Sequence, residues 1–192
     1  MVTFAKCASM RQSGSVASRL LSSQASLNDS KADDLNNPNT YTENGFAVLS
    51  KMPQYAEAFQ LQYMEAPLLL HSMLSEGKQS LAFRALSTAD VDAASVQEKV
   101  EKYLTTQPKV QTSNRIMGQS SIVCLQEASR LRKQFEDSFI SIEHLLLASA
   151  KDNTVQRLLD VSFDRLEEAV KKIRGNNKVD SRNPEAKYEA LA

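Results

Sequence analysis

Leu68-Leu69-Leu70-His71-Ser72-Met73-Leu74 and Glu143-His144-Leu145-Leu146-Leu147-Ala148-Ser149-Ala150 are two compact apolar segments, and each stands at the same place in a recurring order. An amphipathic stretch precedes each one, residues 42–59 in the first half and 121–135 in the second. A short helical segment follows, around 81–86 in the first half and marked by Val155, Leu158 and Leu159 in the second. Val91-Asp92 then leads into a helix over 94–104, as Val161-Ser162-Phe163-Asp164 leads into one over 165–174. A helical unit of this size that occurs twice does not bury its apolar face alone, so the halves must pack together. The pattern predicts an all-α fold of about eight helices, two pseudo-twofold-related four-helix repeats in one compact domain.

The periodicity carries this reading. Phe46, Leu49, Met52, Ala56 and Phe59 step by three or four, Val96, Val100, Tyr103 and Leu104 fall at i, i+4, i+7 and i+8, and Leu166, Ala169, Val170 and Ile173 fall at i, i+3, i+4 and i+7. Each set makes one apolar stripe that needs a partner surface. No period-two run is bounded by turn signals, so no strand is expected. Thr40 and Thr42 are candidate N-caps, with Glu43 three residues after Thr40. Lys171, Lys172 and Arg174 crowd the turn before Gly175, which suits a helix C-terminus and a left-handed cap. Pro53 is expected to kink or break the first helix, whereas Pro67 fits a first helical turn. The expected core includes Val48, Leu49, Leu69, Leu70, Leu125, Leu145, Leu146, Leu158 and Ile173, with Cys124 as a small apolar core residue.

The flanks differ. Residues 1–27 contain Lys6, Arg11 and Arg19 and seven serines but no acidic residue, the first being Asp29. That composition fits a mitochondrial or plastid transit peptide, with residues 28–39 (NDSKADDLNNPN) as a polar linker. The expected organisation is a targeting leader and linker over 1–40, a first repeat over 41–104, a linker over 105–114, a second repeat over 115–175 and a tail over 176–192. The 23 basic residues equal the 23 acidic ones and there is no Trp, which gives no reason to expect nucleic acid. No apolar run reaches the ~20 residues of a membrane span.

Asp137-Ser138-Phe139-Ile140-Ser141-Ile142-Glu143-His144-Leu145-Leu146-Leu147-Ala148 resembles the core of the Clp N-terminal repeat. Gln107-Pro108-Lys109-Val110 is similar to that family's inter-repeat linker. Ile173-Arg174-Gly175, Val179 and Asn183-Pro184-Glu185-Ala186-Lys187-Tyr188-Glu189-Ala190-Leu191 resemble the segment that joins this domain to the first ATPase module of ClpB. The chain is therefore identified as similar to the N-terminal double-repeat domain of a ClpB-type disaggregase chaperone, nearest its organellar, plant-type branch. The first repeat departs from the pattern, because Pro67 and Leu68 stand where the family usually has Glu-His.

The resemblance implies that the domain captures unfolded or aggregated polypeptide in a hydrophobic groove, in a stress or heat response, with ClpB ATPase ring subunits as partners. It places the groove-side polar positions at Thr42, Asp137 and Glu143. Asp137 and Glu143 flank Phe139-Ile140-Ser141-Ile142. Carboxylates there would stay solvated only at the surface, since burying an unpaired charge is costly. The expectation is a surface patch of these three residues, with a double Ala change at Asp137 and Glu143 nearly neutral for thermal unfolding. Each residue also has a purely local reading: Thr42 as a cap, Asp137 as a turn residue, Glu143 as a favourable helix N-terminal charge.

No enzyme is expected in this chain, whose only Gly-Lys, Gly77-Lys78, is followed by Gln79 instead of Ser or Thr and has Ser72 where a phosphate loop needs its first Gly. His71 and His144 lie in separate repeats without a second Cys or His at ligand spacing, so no metal or other cofactor is expected, and His144 reads as a structural helix-start residue. Two alternatives stay open, an adaptor that docks on a Clp complex and the opening fragment of a complete ATP-driven unfoldase. The expected location is the chloroplast stroma or mitochondrial matrix.

Overall fold

The computed structural model describes residues 35–184, so the leader read in residues 1–27 and the end of the tail, 185–192, lie outside the described residues. Within them run eight α-helices: α1 (Glu43–Ala58), α2 (Ala66–Leu74), α3 (Leu81–Thr88), α4 (Ala93–Thr106), α5 (Gln119–Gln134), α6 (Ile142–Ser149), α7 (Asn153–Leu159) and α8 (Phe163–Arg174). Polar caps set most of their starts. Ser80, Asp92, Asp152 and Ser162 each accept a backbone N–H from the first turn of α3, α4, α7 and α8. Of the two candidate caps for α1, Thr42 fills the position, its Oγ1 accepting from Gly45 N at 3.1 Å, while Thr40 ends a 3-10 turn, Pro38–Thr40. Pro67 lies in the first turn of α2 as expected. Pro53 does not break α1, which runs unbroken through it. It occupies the exposed side, and the packing of Val48, Met52 and Ala56 around it outweighs the lost hydrogen bond.

The halves correspond element by element. Gln60 after α1 and Glu136 after α5 both adopt left-handed backbone, φ 56° and 57°. So do Asp90 after α3 and Asp160 after α7, φ 56° and 53°. Positive φ is uncommon for a residue other than glycine, so two such pairs at matching places reflect one backbone path used twice.

α2 and α6 are the interior helices, and every residue of both is buried. They pack on each other, α1 and α4 cover α2, α5 covers α6, and α3 of the first half lies against α8 of the second. Of the expected core, Val48, Leu69, Leu70, Leu125, Leu145 and Leu146 are buried, whereas Leu49, Leu158 and Ile173 are only partly so. The reason is a rotation of the stripe. α1 buries Gly45, Val48, Met52 and Ala56, and α8 buries Leu166, Ala169, Val170 and Arg174, so Leu49 and Ile173 stand at the margin. Cys124 is a free, buried thiol, and burial pushes its pKa up to about 12.

Strands not expected from the sequence also occur. β1 (Tyr63–Met64) and β2 (Ile116–Met117) pair in parallel, and Tyr41 forms an isolated parallel bridge with Ile140. Two residues are too few to show a period of two. Their role is to lock the halves at both ends of the pseudo-twofold. Gly118 N donates to Met64 O at 3.0 Å, and Thr42 N donates to Ile140 O at 2.9 Å.

Candidate functional site

The loop between α5 and α6 carries Asp137 into a buried cluster. Left-handed Glu136 turns the chain, and Asp137 N donates to Arg132 O at 3.0 Å. The Asp137 carboxylate receives Arg174 on both oxygens: Nη2 on Oδ1 at 2.7 Å and Nη1 on Oδ2 at 2.8 Å. Val179 N donates to Oδ1 at 2.8 Å, and His144 Nε2 lies 3.0 Å from Oδ2. His144 is oriented by its own helix start, since Ser141 N donates to its Nδ1 at 3.0 Å, which bears out the structural role read from the sequence. Glu143, in the first turn of α6, has Oε1 3.8 Å from Arg174 Nη1, and that oxygen accepts no hydrogen bond among the described residues. Burial alone would raise the Asp137 pKa, but His144, Arg174 and the Val179 amide outweigh it and hold the carboxyl well below its ordinary value.

Thr42, Asp137 and Glu143 therefore gather around one junction, where Thr42 abuts Ile140, midway between the two acids. They do not form the solvated surface patch expected. Their exposures are 1%, 5% and 1%. An unpaired carboxylate must stay wet, but Asp137 is not unpaired: Arg174 supplies its countercharge from the far end of α8. The sequence contained a signal for this. Arg174 follows Leu166 by eight and Val170 by four, so it falls on the apolar stripe, where a helix-terminal surface charge would not.

An apolar cleft of about 560 Å³ opens at Tyr41, the chain neighbour of Thr42, and is lined by Leu35, Tyr41, Phe46, Leu49, Met117, Ile122 and Leu125; neither Asp137 nor Glu143 lines it. Phe46 is 36% exposed here, and Leu49, displaced from the core, forms part of the wall. Among the described residues no group of three or more His, Cys, Asp or Glu side chains could hold a metal ion. No described helix is long and apolar enough to cross a membrane.

Residues 40–162 match the Clp repeat (R) N-terminal domain. The chain belongs to this family. It is 37% identical over 161 residues to chaperone protein ClpB 1 of Synechococcus elongatus, which covers 81% of this chain and 18% of that protein. It is 34% identical over 160 residues to the mitochondrial chaperone protein ClpB3 of Oryza sativa, covering 80% of this chain and 16% of that one. The chain thus spans less than a fifth of the length of these relatives. Its fold is similar to the Hsp104 N-terminal domain from Candida albicans, with TM-score 0.64 and 17% identity, covering 74% of this chain and 96% of that one. It is also similar to the N-terminal domain of ClpD from Arabidopsis thaliana, with TM-score 0.54 and 14% identity, over 69% of this chain and 96% of that one.

Within this Clp N-terminal domain the two repeats treat the same position in opposite ways. Matching the left-handed turns and helix starts sets Leu61 against Asp137, Pro67 against Glu143, Leu68 against His144 and Leu104 against Arg174. An ionic cluster in the second repeat is thus an all-apolar one in the first. These four line a second cleft of about 300 Å³. The caps differ too. Where Thr42 caps α1 with its own side chain, Gly118 precedes α5, and the Glu65 carboxylate takes over by accepting from Ser120 N at 2.9 Å and from Ser120 Oγ. A Cβ on Gly118 would run into that carboxylate.

Proposed function

We propose that this chain is a polypeptide-binding Clp N-terminal domain that captures unfolded or aggregated protein at the junction of Thr42, Asp137 and Glu143, and that it works with the ATPase ring of a ClpB-type chaperone. The observation that carries the reading is the apolar cleft that begins at Tyr41, next to Thr42, and is walled by Phe46, Leu49 and Ile122. An unfolded chain offers apolar side chains and unpaired amides together. The cleft takes the first, and the Asp137 and Glu143 carboxylates, buried at the junction, would meet the second once the junction opens. Single contacts of this kind are weak, and a ring of copies would multiply them. Fluorescence anisotropy with reduced, carboxymethylated α-lactalbumin tests it. Phe46→Ser combined with Leu49→Ser should abolish binding and leave the circular dichroism of the domain intact. Binding that survives this double change would refute the site.

The organellar location belongs to the same proposal. It is supported by the acid-free, Ser- and Arg-containing residues 1–27 and by the likeness to a mitochondrial ClpB3. Residues 1–40 fused to a fluorescent reporter should carry it into mitochondria or plastids, and diffuse cytosolic fluorescence would count against it.

A further inference from the structure

Asp137 has no vacant acceptor. Arg174 and Val179 N occupy Oδ1, while Arg174 and His144 face Oδ2. Of these, only the Val179 amide comes from a segment outside the helices and the loop that build the site. That segment, residues 176–184, leaves α8 at Gly175 and crosses the junction. Its backbone makes most of the contacts, beside two exposed side-chain ones, Lys178 Nζ to Glu136 Oε2 and Arg182 Nη1 to Asn39 Oδ1. Arg174 Nε donates to Asn177 O at 3.1 Å, Ser138 N to Val179 O at 2.9 Å, and Glu43 N, an otherwise orphan amide at the start of α1, to Arg182 O at 2.7 Å. The Val179 side chain is completely buried. The strap thus lies directly against Asp137, Ser138 and Glu43.

This is how an extended polypeptide would be held. It donates an amide to Asp137, accepts amides from Ser138 and Glu43 through its carbonyls, and inserts one small aliphatic side chain. We propose that residues 176–184 are an internal ligand of the site, and that clients bind by displacing them. The proposal rests on the polypeptide-binding reading above and deepens it. It names the ligand class as an extended segment with a small β-branched or aliphatic residue at its centre. It also explains how buried Asp137 and Glu143 could meet a client at all. Glu143 Oε1, buried without a hydrogen bond, is the acceptor left over for a client amide or cation once the strap has moved. A site whose competent state is a minor fraction shows its intrinsic dissociation constant divided by that fraction, so loosening the strap should strengthen binding.

The test uses the full chain with fluorescein-labelled reduced, carboxymethylated α-lactalbumin. Val179→Asp should bind the probe at least about threefold more tightly than the unchanged chain, because the open fraction rises. Equal or weaker binding by a folded Val179→Asp chain overturns the proposal. Hydrogen exchange on the unchanged chain gives an independent measure that requires no variant to fold. Saturating probe should speed exchange of the Val179 amide by at least about tenfold while the amides of α2 and α6 keep their protection. A Val179 amide as protected with the probe as without it likewise overturns the proposal. The two readings fail differently. If the probe binds, and Phe46→Ser with Leu49→Ser abolishes that binding while Val179→Asp does not alter it, the cleft stands and the internal ligand falls. If the probe binds neither chain, both fall.

Discussion

Asp137 and Arg174, 37 residues apart in the chain, meet below the surface through two parallel hydrogen bonds that tie the loop before α6 to the last turn of α8. Such a pair gains little over a well-packed apolar one, yet it costs much to break on one side, since the charge left behind stays buried. The domain has both versions. The second repeat carries Asp137 and Arg174, and the first carries Leu61 and Leu104 at the matching positions.

Removing one partner is therefore expected to destabilise the fold strongly, contrary to the near-neutral outcome expected from the sequence. Asp137→Ala should cost about 3–5 kcal/mol in urea unfolding. Asp137→Leu combined with Arg174→Leu should cost clearly less than either single change, as apolar replacement of the whole pair leaves no orphan charge. A double variant as unstable as the sum of the two singles would show that the pair does not act as a unit.

The same pair sets an acid limit. The folded pKa of Asp137 is depressed, so its contribution to stability is fully present above the ordinary carboxylate value, 3.8, and is lost as pH falls towards the folded value. Urea midpoints should hold steady down to about pH 5 and then decline. Asp137→Asn should be less stable than the unchanged chain at neutral pH and approach it in acid. Glu127, hydrogen-bonded by Arg130 and Lys151 and lowered to about 2, adds to the decline in the same direction, weakened by solvent. Parallel curves for the two chains would remove Asp137 from the acid limit.

The cap exchange at α5 predicts a rescue. Glu65→Ala strips the acceptor from Ser120 N and should cost about 1–2 kcal/mol, as loss of a cap does. Gly118→Ser alone should also destabilise, because its Cβ meets the Glu65 carboxylate. Together they should recover much of the loss. The Ser hydroxyl can then cap α5 as Thr42 caps α1, at a backbone of φ −74° and ψ 159° that any residue adopts. Differential scanning calorimetry of the three variants decides it, and a double variant below both singles would refute the exchange.

The helices and the repeat were legible because burial writes a 3.6-residue period into Val96, Val100 and Leu104 and into Leu166, Ala169 and Val170. The site was legible only as residue names. Thr42, Asp137 and Glu143 were found through likeness to the family, but their burial depends on Arg174 and Val179, and local periodicity does not report which charge a side chain will meet 37 or 42 residues away. The covered stripe of α1 shares Met52 and Ala56 with the expected one but begins at Gly45 and Val48 instead of Phe46 and Leu49, for a related reason. Phe46 and Leu49 are as apolar as Val48, and only the placement of α2 and α6 selects which stripe is covered.

The sharpest check of the pseudo-twofold is to transplant the ionic pair. Leu61 and Leu104 lie where the second repeat has Asp137 and Arg174, and both line the apolar cleft of the first repeat. Leu104→Arg alone places a guanidinium among Leu61, Pro67 and Leu68, in a cleft whose one acidic lining residue, Glu65, is already bound to Ser120, and it should destabilise by several kcal/mol, on the order of a broken buried pair. Leu61→Asp alone should do the same. If the two backbones superpose as their matched left-handed turns imply, the double variant recreates the two-pronged pair, and its unfolding free energy should exceed the additive value by about 1–3 kcal/mol. The recovery should be incomplete, because Pro67 and Leu68 supply neither the carboxylate of Glu143 nor the ring nitrogen of His144. Adding Leu68→His should recover more. Strict additivity in the double variant would mean that the side chains at 61 and 104 do not point at each other as those at 137 and 174 do, and the correspondence of the two sites would fail.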